Sequence, residues 1–310
     1  MSEKFNVRSI NISDRKGISK TPVNSAKFIA GHGIEGDSHA GPWNRQVTIL
    51  SEEEITAADA GRGIAGFGSF AENLTVTGLN IHNVKLLDRF HLGDVILEVT
   101  QIGKVCHDNC AIGKALGECI MPRLGVFTRV IAGGELTTGR EGEYLPKIFK
   151  GMVITLSDRA SRGEYDDLSG PVAKEALARF FEEWGYAFEI INLLIPDDSD
   201  KLTSALAMAV DGNADIVLTS GGTGLGPRDF TPEVTAAFCE RQIPGVMEFI
   251  RTKYGSQFPN ALVSRGIAGV KNNTLIYNLP GSPKAVKEYL DEIIPTLRHT
   301  FFMLHGIDIH

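Results

Sequence analysis

The stretch TSGGTGLGPRDFTPEV, from Thr219 to Val234, gathers residues suited to holding an anion. Five glycines or prolines fall between Gly221 and Pro227, followed by Arg228, Asp229, Thr231 and Pro232. Glycine adopts positive φ and lets a ligand approach the backbone, so the N–H groups of Gly221, Gly222, Thr223 and Gly224 can point at one phosphate. Thr231 reads as a helix N-cap and Pro232 as the first helical residue. A helix N-terminus at that place favours negative charge beside it. The loop lacks the Lys-Ser/Thr of a Walker A motif and does not have the glycine spacing of the dinucleotide fingerprint. Taken by itself it is equally a tight connection in a crowded α/β domain.

Three other segments add chemistry. ITLSDRAS carries Ser157, Asp158 and Arg159; LIPDD carries Asp197 and Asp198; NLPGSPK carries Gly281, Ser282 and Lys284. Each follows an apolar run that reads as a strand. In open α/β sheets ligands sit beyond the carboxyl ends of the strands, so these segments predict one pocket. Carboxylates at such a place suit Mg²⁺, whereas Ser157, Arg228 and Lys284 suit phosphate. Asp158 and Asp229 also fit plain capping or turn roles.

The elements that must position these residues change character along the chain. In the first part RQVTILS, ENLTVTG, VKLLDRFHLGDVILEVTQIG and GVFTRVIAGGELTTG read as short strands broken by Gly, Asn or Asp. Ser51 to Glu54 reads as a capping box opening a helix. Few helices among many short strands predict a mostly-β barrel or folded sheet. REGEYLPKIFKG, about residues 140–149, is polar and then basic and reads as a linker. Beyond it GMVITLS, FEIINLLI, DIVLTS and NTLIYNLP read as strands alternating with helices. Val172, Ala176, Phe180 and Trp184 recur at i+4 on one helical face, and Asp198 or Ser199 caps the next helix. This βαβαβ order predicts a doubly wound parallel sheet. The expected domains are therefore 1–142, mostly β, and 148–310, α/β.

The bulk numbers exclude several classes. The chain has 310 residues and a net charge of -7, with 43% hydrophobic residues. That charge gives no general attraction for nucleic acid or anionic membrane. No apolar run is long enough to span a bilayer, and the N-terminus lacks the apolar core of a signal peptide. A cytoplasmic protein with reduced thiols is expected. Three of its four cysteines, Cys106, Cys110 and Cys119, crowd into one short stretch beside His107.

SDRAS, IPDD, TSGGTGLGPRDFTPEVT and NLPGSPK, in this order, resemble the molybdopterin adenylyltransferases of molybdenum cofactor biosynthesis over about residues 148–305. The resemblance implies that molybdopterin and ATP react with Mg²⁺ to give adenylyl-molybdopterin and pyrophosphate. It implies metal-holding catalytic roles for Asp197 and Asp229. It implies phosphate-binding roles for Ser157, Asp158, the glycine loop, Arg228, Gly281, Ser282 and Lys284. It also implies a homo-trimer whose product passes to a molybdate-insertion enzyme and on to molybdoenzymes. Two other readings stay open: a non-catalytic pterin-binding scaffold, and the related domain that consumes adenylyl-molybdopterin during metal insertion.

GHGIEGDSHAG, RQVTILS, FAENLTV and LGDVILEVTQIG, followed by KVCHDNCAIGKALGECIMPRLGVFTRVIAGG, resemble a MOSC domain over about residues 5–142. That resemblance implies a thiol, matched to Cys110 or to Cys106, that carries sulfur or ligates the molybdenum of the cofactor. Buried structural cysteines and a zinc site are the competing readings. His32, Asp37 and His39 either line the same cleft or shape a turn.

Overall fold

In the computed structural model, residues 3–104 and 111–307 are described, and contacts divide the chain into two compact units, Met1–Lys147 and Ile148–His310. The first contains strands β1 (Glu3–Ile12), β2 (Thr21–Val23), β3 (Ser25–Ile29), β4 (Gly33–Ile34), β5 (Val47–Ser51), β6 (Leu74–Thr77), β7 (Arg89–Leu92), β8 (Val95–Ile102), β9 (Val126–Ala132), β10 (Gly134–Thr137) and β11 (Glu141–Leu145). Helices α1 (Glu52–Asp59), α2 (Ala111–Leu116) and α3 (Met121–Leu124) interrupt them.

The order β11-β7-β8-β9-β5-β6-β1 closes into a barrel because β1 pairs back onto β11. Strand β2 extends the sheet beyond β1, and β3, β4 and β10 form a separate three-stranded sheet. Successive side chains of a strand point to opposite faces, and the core follows that rule. Val47 and Ile49 join Phe5, Val7, Phe90 and Leu97 in one cluster. Leu50 and Phe127 face away, into a second cluster with Ile55 of α1, Leu116 of α2 and Met121 of α3. Ser51 caps α1 by accepting from the Glu54 N–H at 3.2 Å. The reciprocal half of the expected capping box is missing, because the Glu54 carboxylate lies 2.9 Å from His82 Nε2.

The stretch around 140–149 is not a linker. Residues 141–145 are β11, which pairs with both β1 and β7 and closes the barrel. Exposed Glu141 and Glu143 gave the segment its polar look, but Gly142 and Tyr144 alternate with them and are buried. The Tyr144 hydroxyl donates to Asp88 Oδ2 at 2.6 Å. Only Pro146 and Lys147 separate β11 from the next strand.

The second unit contains β12 (Ile148–Leu156), β13 (Ala187–Ile195), β14 (Ile216–Ser220), β15 (Arg241–Gln242), β16 (Ala268–Lys271) and β17 (Thr274–Leu279). Its helices are α4 (Asp158–Ser161), α5 (Ser169–Trp184), α6 (Ser199–Asp211), α7 (Thr231–Phe238), α8 (Pro244–Gly255) and α9 (Pro283–Leu304). The sheet order is β13-β12-β14-β17-β16-β15. The first four strands are parallel, as the βαβ alternation predicts. The last two are antiparallel, so the sheet is mixed. The two-residue turn Asn272-Asn273, with Asn272 at φ 52°, reverses the chain between β16 and β17.

The two faces of β12 are covered differently. Met152, Ile154 and Leu156 pack with Leu202, Ala205 and Leu206 of α6. On the opposite face Phe149 meets Phe181 and Trp184 of α5 and Phe301 of α9, each with ring centroids 5.0 Å away. Asp198 caps α6 through the N–H groups of Asp200 and Lys201.

Each of these three core clusters draws on one unit alone. A fragment of residues 148–310 is therefore expected to fold by itself and to unfold cooperatively in urea. A fragment that shows no cooperative transition by circular dichroism would sink this expectation.

Candidate active site

The register of the parallel strands builds the site. Leu156 pairs with Ile195, Thr155 with Ser220, and Ser220 with Leu279. The four strands thus end level, and the segments after them emerge side by side. They line one cavity of about 640 Å³ that includes Ser157, Asp158, Asp197, Gly221, Gly222, Arg228, Asp229 and Gly281.

Asp158 and Asp197 are locked to each other through the backbone. The Asp158 N–H donates to Asp197 Oδ2 and the Asp197 N–H donates to Asp158 Oδ1, both at 3.0 Å. Arg228 forms an ion pair with Asp158 Oδ2, and its guanidinium lies 3.8 Å from Asp197 Oδ2. Burial, and then the negative charge of Asp229, push the Asp197 carboxyl above the ordinary range. Ser157 caps α4 by accepting from the Ala160 N–H and shares a 2.7 Å hydrogen bond with the Tyr165 hydroxyl.

The glycine loop is held from behind. Gly221 has φ +106°, and a Cβ there would lie 2.6 Å from Leu156 O. Gly222 has φ +65°, and a Cβ there would run into Thr231 Oγ1. Only glycine satisfies both demands. The Asp229 carboxylate accepts from the Gly226 N–H at 2.7 Å, while the Asp229 N–H donates to Gly226 O at 3.0 Å.

Two expectations about this loop need correction. The Gly221 N–H is committed to Leu279 O at 3.1 Å and cannot serve a phosphate. Strand pairing simply extends one residue further than the apolar pattern suggests. Among the described residues, the N–H groups of Gly222, Thr223 and Gly224 make no hydrogen bond. Secondly, Thr231 is the first residue of α7 and Phe230 occupies the N-cap without a side-chain bond. The Thr231 hydroxyl is drawn away to Gly221 O at 2.9 Å.

Not every expected residue reaches the cavity. Thr223 and Gly224 continue the loop behind its wall, and Ser282 is the N-cap of α9, accepting from the Ala285 N–H. Lys284 lies 4.5 Å above the Phe258 ring and 3.7 Å from Glu288, outside the lining. The lining instead adds Arg159, Arg162, Tyr165, Asp166 and Asp167. Asp167 caps α5 through the N–H groups of Ser169 and Gly170. Asp166 and Asp167 follow no strand, so the strand-end argument passed over them.

The first unit has a cavity of its own, about 340 Å³, lined by His39, Trp43, Arg45, Lys104, Cys119 and Phe127 among others. Beneath it Lys20 and Asp37 form a fully buried ion pair at 2.5 Å. Burial pulls the Lys20 ammonium below its usual range against the pull of Asp37. Burial alone would raise Asp37, yet hydrogen bonds from His39 and Lys20 outweigh it and hold the carboxyl below the usual range. Lys20 Nζ lies 3.3 Å from His39 Nδ1, and an ammonium can only donate. Asp37 is thus a buried structural group, His39 lines the cavity and exposed His32 does not. Cys106, His107 and Cys110 lie outside the described residues.

Residues 152–299 match the family described as a probable molybdopterin binding domain, and residues 36–142 match the MOSC domain. A molybdopterin adenylyltransferase of Helicobacter pylori is 36% identical over 155 residues, 50% of this chain and 86% of the relative. The chain belongs to the molybdopterin adenylyltransferase family. Its second unit carries that likeness, and a MOSC domain precedes it. The molybdopterin adenylyltransferase of Escherichia coli K12 is 37% identical over 142 residues, 46% of this chain and 71% of the relative. A solved molybdopterin biosynthesis enzyme from Thermus thermophilus is 39% identical, covering 51% of this chain and 97% of that one, with a TM-score of 0.46.

Within this adenylyltransferase-family unit the loop conformation has a measurable cost if disturbed. Gly222→Ala would place an L side chain at φ +65° and push Thr231 off the Gly221 carbonyl. A loss of about 2–3 kcal/mol is expected from the strained backbone and the broken bond together. Urea unfolding of the second unit measures it; an unchanged midpoint would show that the loop yields freely.

Proposed function

We propose that this protein transfers the adenylyl group of Mg²⁺-ATP to molybdopterin, releasing pyrophosphate. The observation that carries the reading is the joint placement, in one cavity, of Asp158, Asp197 and Asp229 with Gly222 of the glycine loop, whose N–H is unpaired. A terminal phosphate oxygen of the pterin attacks the α-phosphorus of ATP. The α-phosphorus–oxygen bond to the departing pyrophosphate breaks, and no protein nucleophile is needed. Two polyanions must be neutralised and aligned.

The acidic lining supports a metal. Asp158, Asp166, Asp167, Asp197 and Asp229 face three arginines, Arg159, Arg162 and Arg228. A phosphate chain would be repelled there without a bridging cation. Among the described residues no three His, Cys, Asp or Glu side chains form a ready cage. That suits Mg²⁺, which keeps several waters and takes one or two carboxylates plus phosphate oxygens. Asp197 and Asp229 would hold it, and when bound it would neutralise charge on the phosphates. Arg228, which is paired with Asp158 in the cavity lining, is placed to bind phosphate.

The MOSC unit is proposed to handle sulfur or finished molybdenum cofactor, with Cys110 or Cys106 as the thiol. The first-unit cavity supports an anionic ligand: among the described residues its lining carries Arg45 and Lys104 and no carboxylate. A homo-trimer, a cytoplasmic location and hand-over to a molybdate-insertion enzyme complete the proposal. Among the described residues no helix is long and apolar enough to cross a membrane.

Incubation with ATP, Mg²⁺ and molybdopterin should release pyrophosphate; pterin binding without pyrophosphate would favour a scaffold. Asp229→Asn keeps an oxygen for the Gly226 N–H but removes the charge. It is expected to slow pyrophosphate release by roughly 10²–10³-fold while pterin binding changes little. Turnover within a few-fold of wild type would make Asp229 a turn residue only. Cys110→Ser should leave pyrophosphate release intact and abolish retention of molybdenum by the full chain. Stoichiometric zinc lost together with folding would point instead to a structural metal.

A further inference from the structure

Arg265 lies 36 residues beyond Asp229 in sequence, outside every segment that the strand-end argument selected, and it does not line the cavity. Yet it touches the glycine loop at three places. Its N–H donates to Thr223 O at 3.0 Å, its Nε to Gly224 O at 2.7 Å and one terminal nitrogen to Asp229 O at 2.5 Å. The other terminal nitrogen is ion-paired with Glu233 in the first turn of α7. Thr231 completes the set from the other side. Its hydroxyl holds Gly221 O at 2.9 Å and its N–H holds Gly222 O at 3.2 Å. The carbonyls of Gly221, Gly222, Thr223, Gly224 and Asp229 are therefore all turned away and bonded.

A peptide unit is rigid, so fixing its carbonyl fixes the direction of the N–H across the same plane. Glycine-rich backbone has little of its own to prevent a peptide flip. A flip would present a carbonyl oxygen, with its negative end, to a phosphate. The guanidinium holds the Gly224 and Asp229 carbonyls, at the two ends of the turn that carries Asp229, whereas the peptides bearing the Gly222, Thr223 and Gly224 N–H groups are held by Thr231 and by the main chain of Arg265. We propose that Arg265 is a positioning residue that holds this turn and, with it, the Asp229 carboxylate at the cavity. Its side chain ties back these two carbonyls so that neither turns towards a phosphate and the Asp229 carboxylate keeps its place. The proposal rests on the adenylyl-transfer reading for its effect on rate, but its effect on anion binding stands apart from that reading. Lysine cannot replace the arginine. The guanidinium spreads donors in a planar fork wide enough for two carbonyls and a carboxylate, whereas an ammonium is a compact point.

The test uses the full chain carrying Arg265→Lys, with Glu233→Gln as a comparison that breaks only the ion pair. Binding of inorganic pyrophosphate in the presence of Mg²⁺ is measured by calorimetry, and pyrophosphate release is measured at saturating ATP, Mg²⁺ and molybdopterin. Arg265→Lys should weaken pyrophosphate binding at least about tenfold and slow turnover roughly 10²-fold, the scale of a 1 Å misplacement. Glu233→Gln should stay within a few-fold of wild type in both. Wild-type binding and turnover in Arg265→Lys would overturn the proposal. Should Arg265→Lys not fold, Arg265→Gln is read in the same way, and loss of fold in both would make Arg265 structural and overturn it as well. If wild type binds pyrophosphate and Arg265→Lys does not, while neither makes adenylyl-molybdopterin, the functional reading fails and the positioning role stands.

Discussion

The loop from Gly221 to Asp229 serves an anion only if its carbonyls are accounted for. Every peptide carries a donor and an acceptor, and an acceptor turned towards a phosphate repels it. Here Thr231 and Arg265 take five carbonyls out of play, and the N–H group of Gly222 stays available in the cavity lining. The rest of the second unit serves that arrangement. Parallel β14 delivers the loop at the end of a fully buried strand. Helix α7 begins where Thr231 can reach back, and the turn before β16 carries Arg265 against the loop from the side.

Charge separates the two cavities of the chain. In the second unit five aspartates outnumber three arginines along the lining, a balance that fits the proposed binding of a polyanion together with a hard cation. Asp197 already shows the strain of that crowding, since burial and Asp229 both oppose its ionisation. In the first unit Arg45 and Lys104 line the cavity, and buried Asp37 is paired with Lys20 within the protein. On the proposed reading the chain presents two solutions to holding phosphate-bearing or oxyanionic chemistry. One works through carboxylates and backbone amides, the other through permanent cations against an aromatic wall.

Much of this was legible along the chain because the signals were local. Runs rich in Val, Ile, Leu, Thr and Phe, broken by Gly, Asn or Asp, marked β5, β8 and β9, and a continuous apolar run marked β12 as a buried strand. Asp198 as a cap and the i+4 face of α5 followed from the same kind of short-range rule. The failures were equally physical. The segment 141–145 reads as polar because its outward residues are glutamates, while Gly142 lies flush against Phe5 for a reason no neighbour in sequence reveals. Thr231 has the composition of an N-cap, but a carbonyl ten residues earlier competes for its hydroxyl and wins.

The residues by themselves determined the two-part organisation, the βαβ alternation and the four polar strand ends, because these depend on periodicity and on the chemistry of single side chains. They also determined that Asp158, Asp197, Asp229 and the glycines belong to one site, since strand ends of a parallel sheet share an edge. Only the tertiary structure decided which backbone groups of the loop remain available. Gly221 is lost to Leu279, Lys284 turns to Phe258, and Arg265 enters from a distant turn. Hydrogen-bond partners compete in space, and the sequence orders residues along a line that does not record who arrives beside whom.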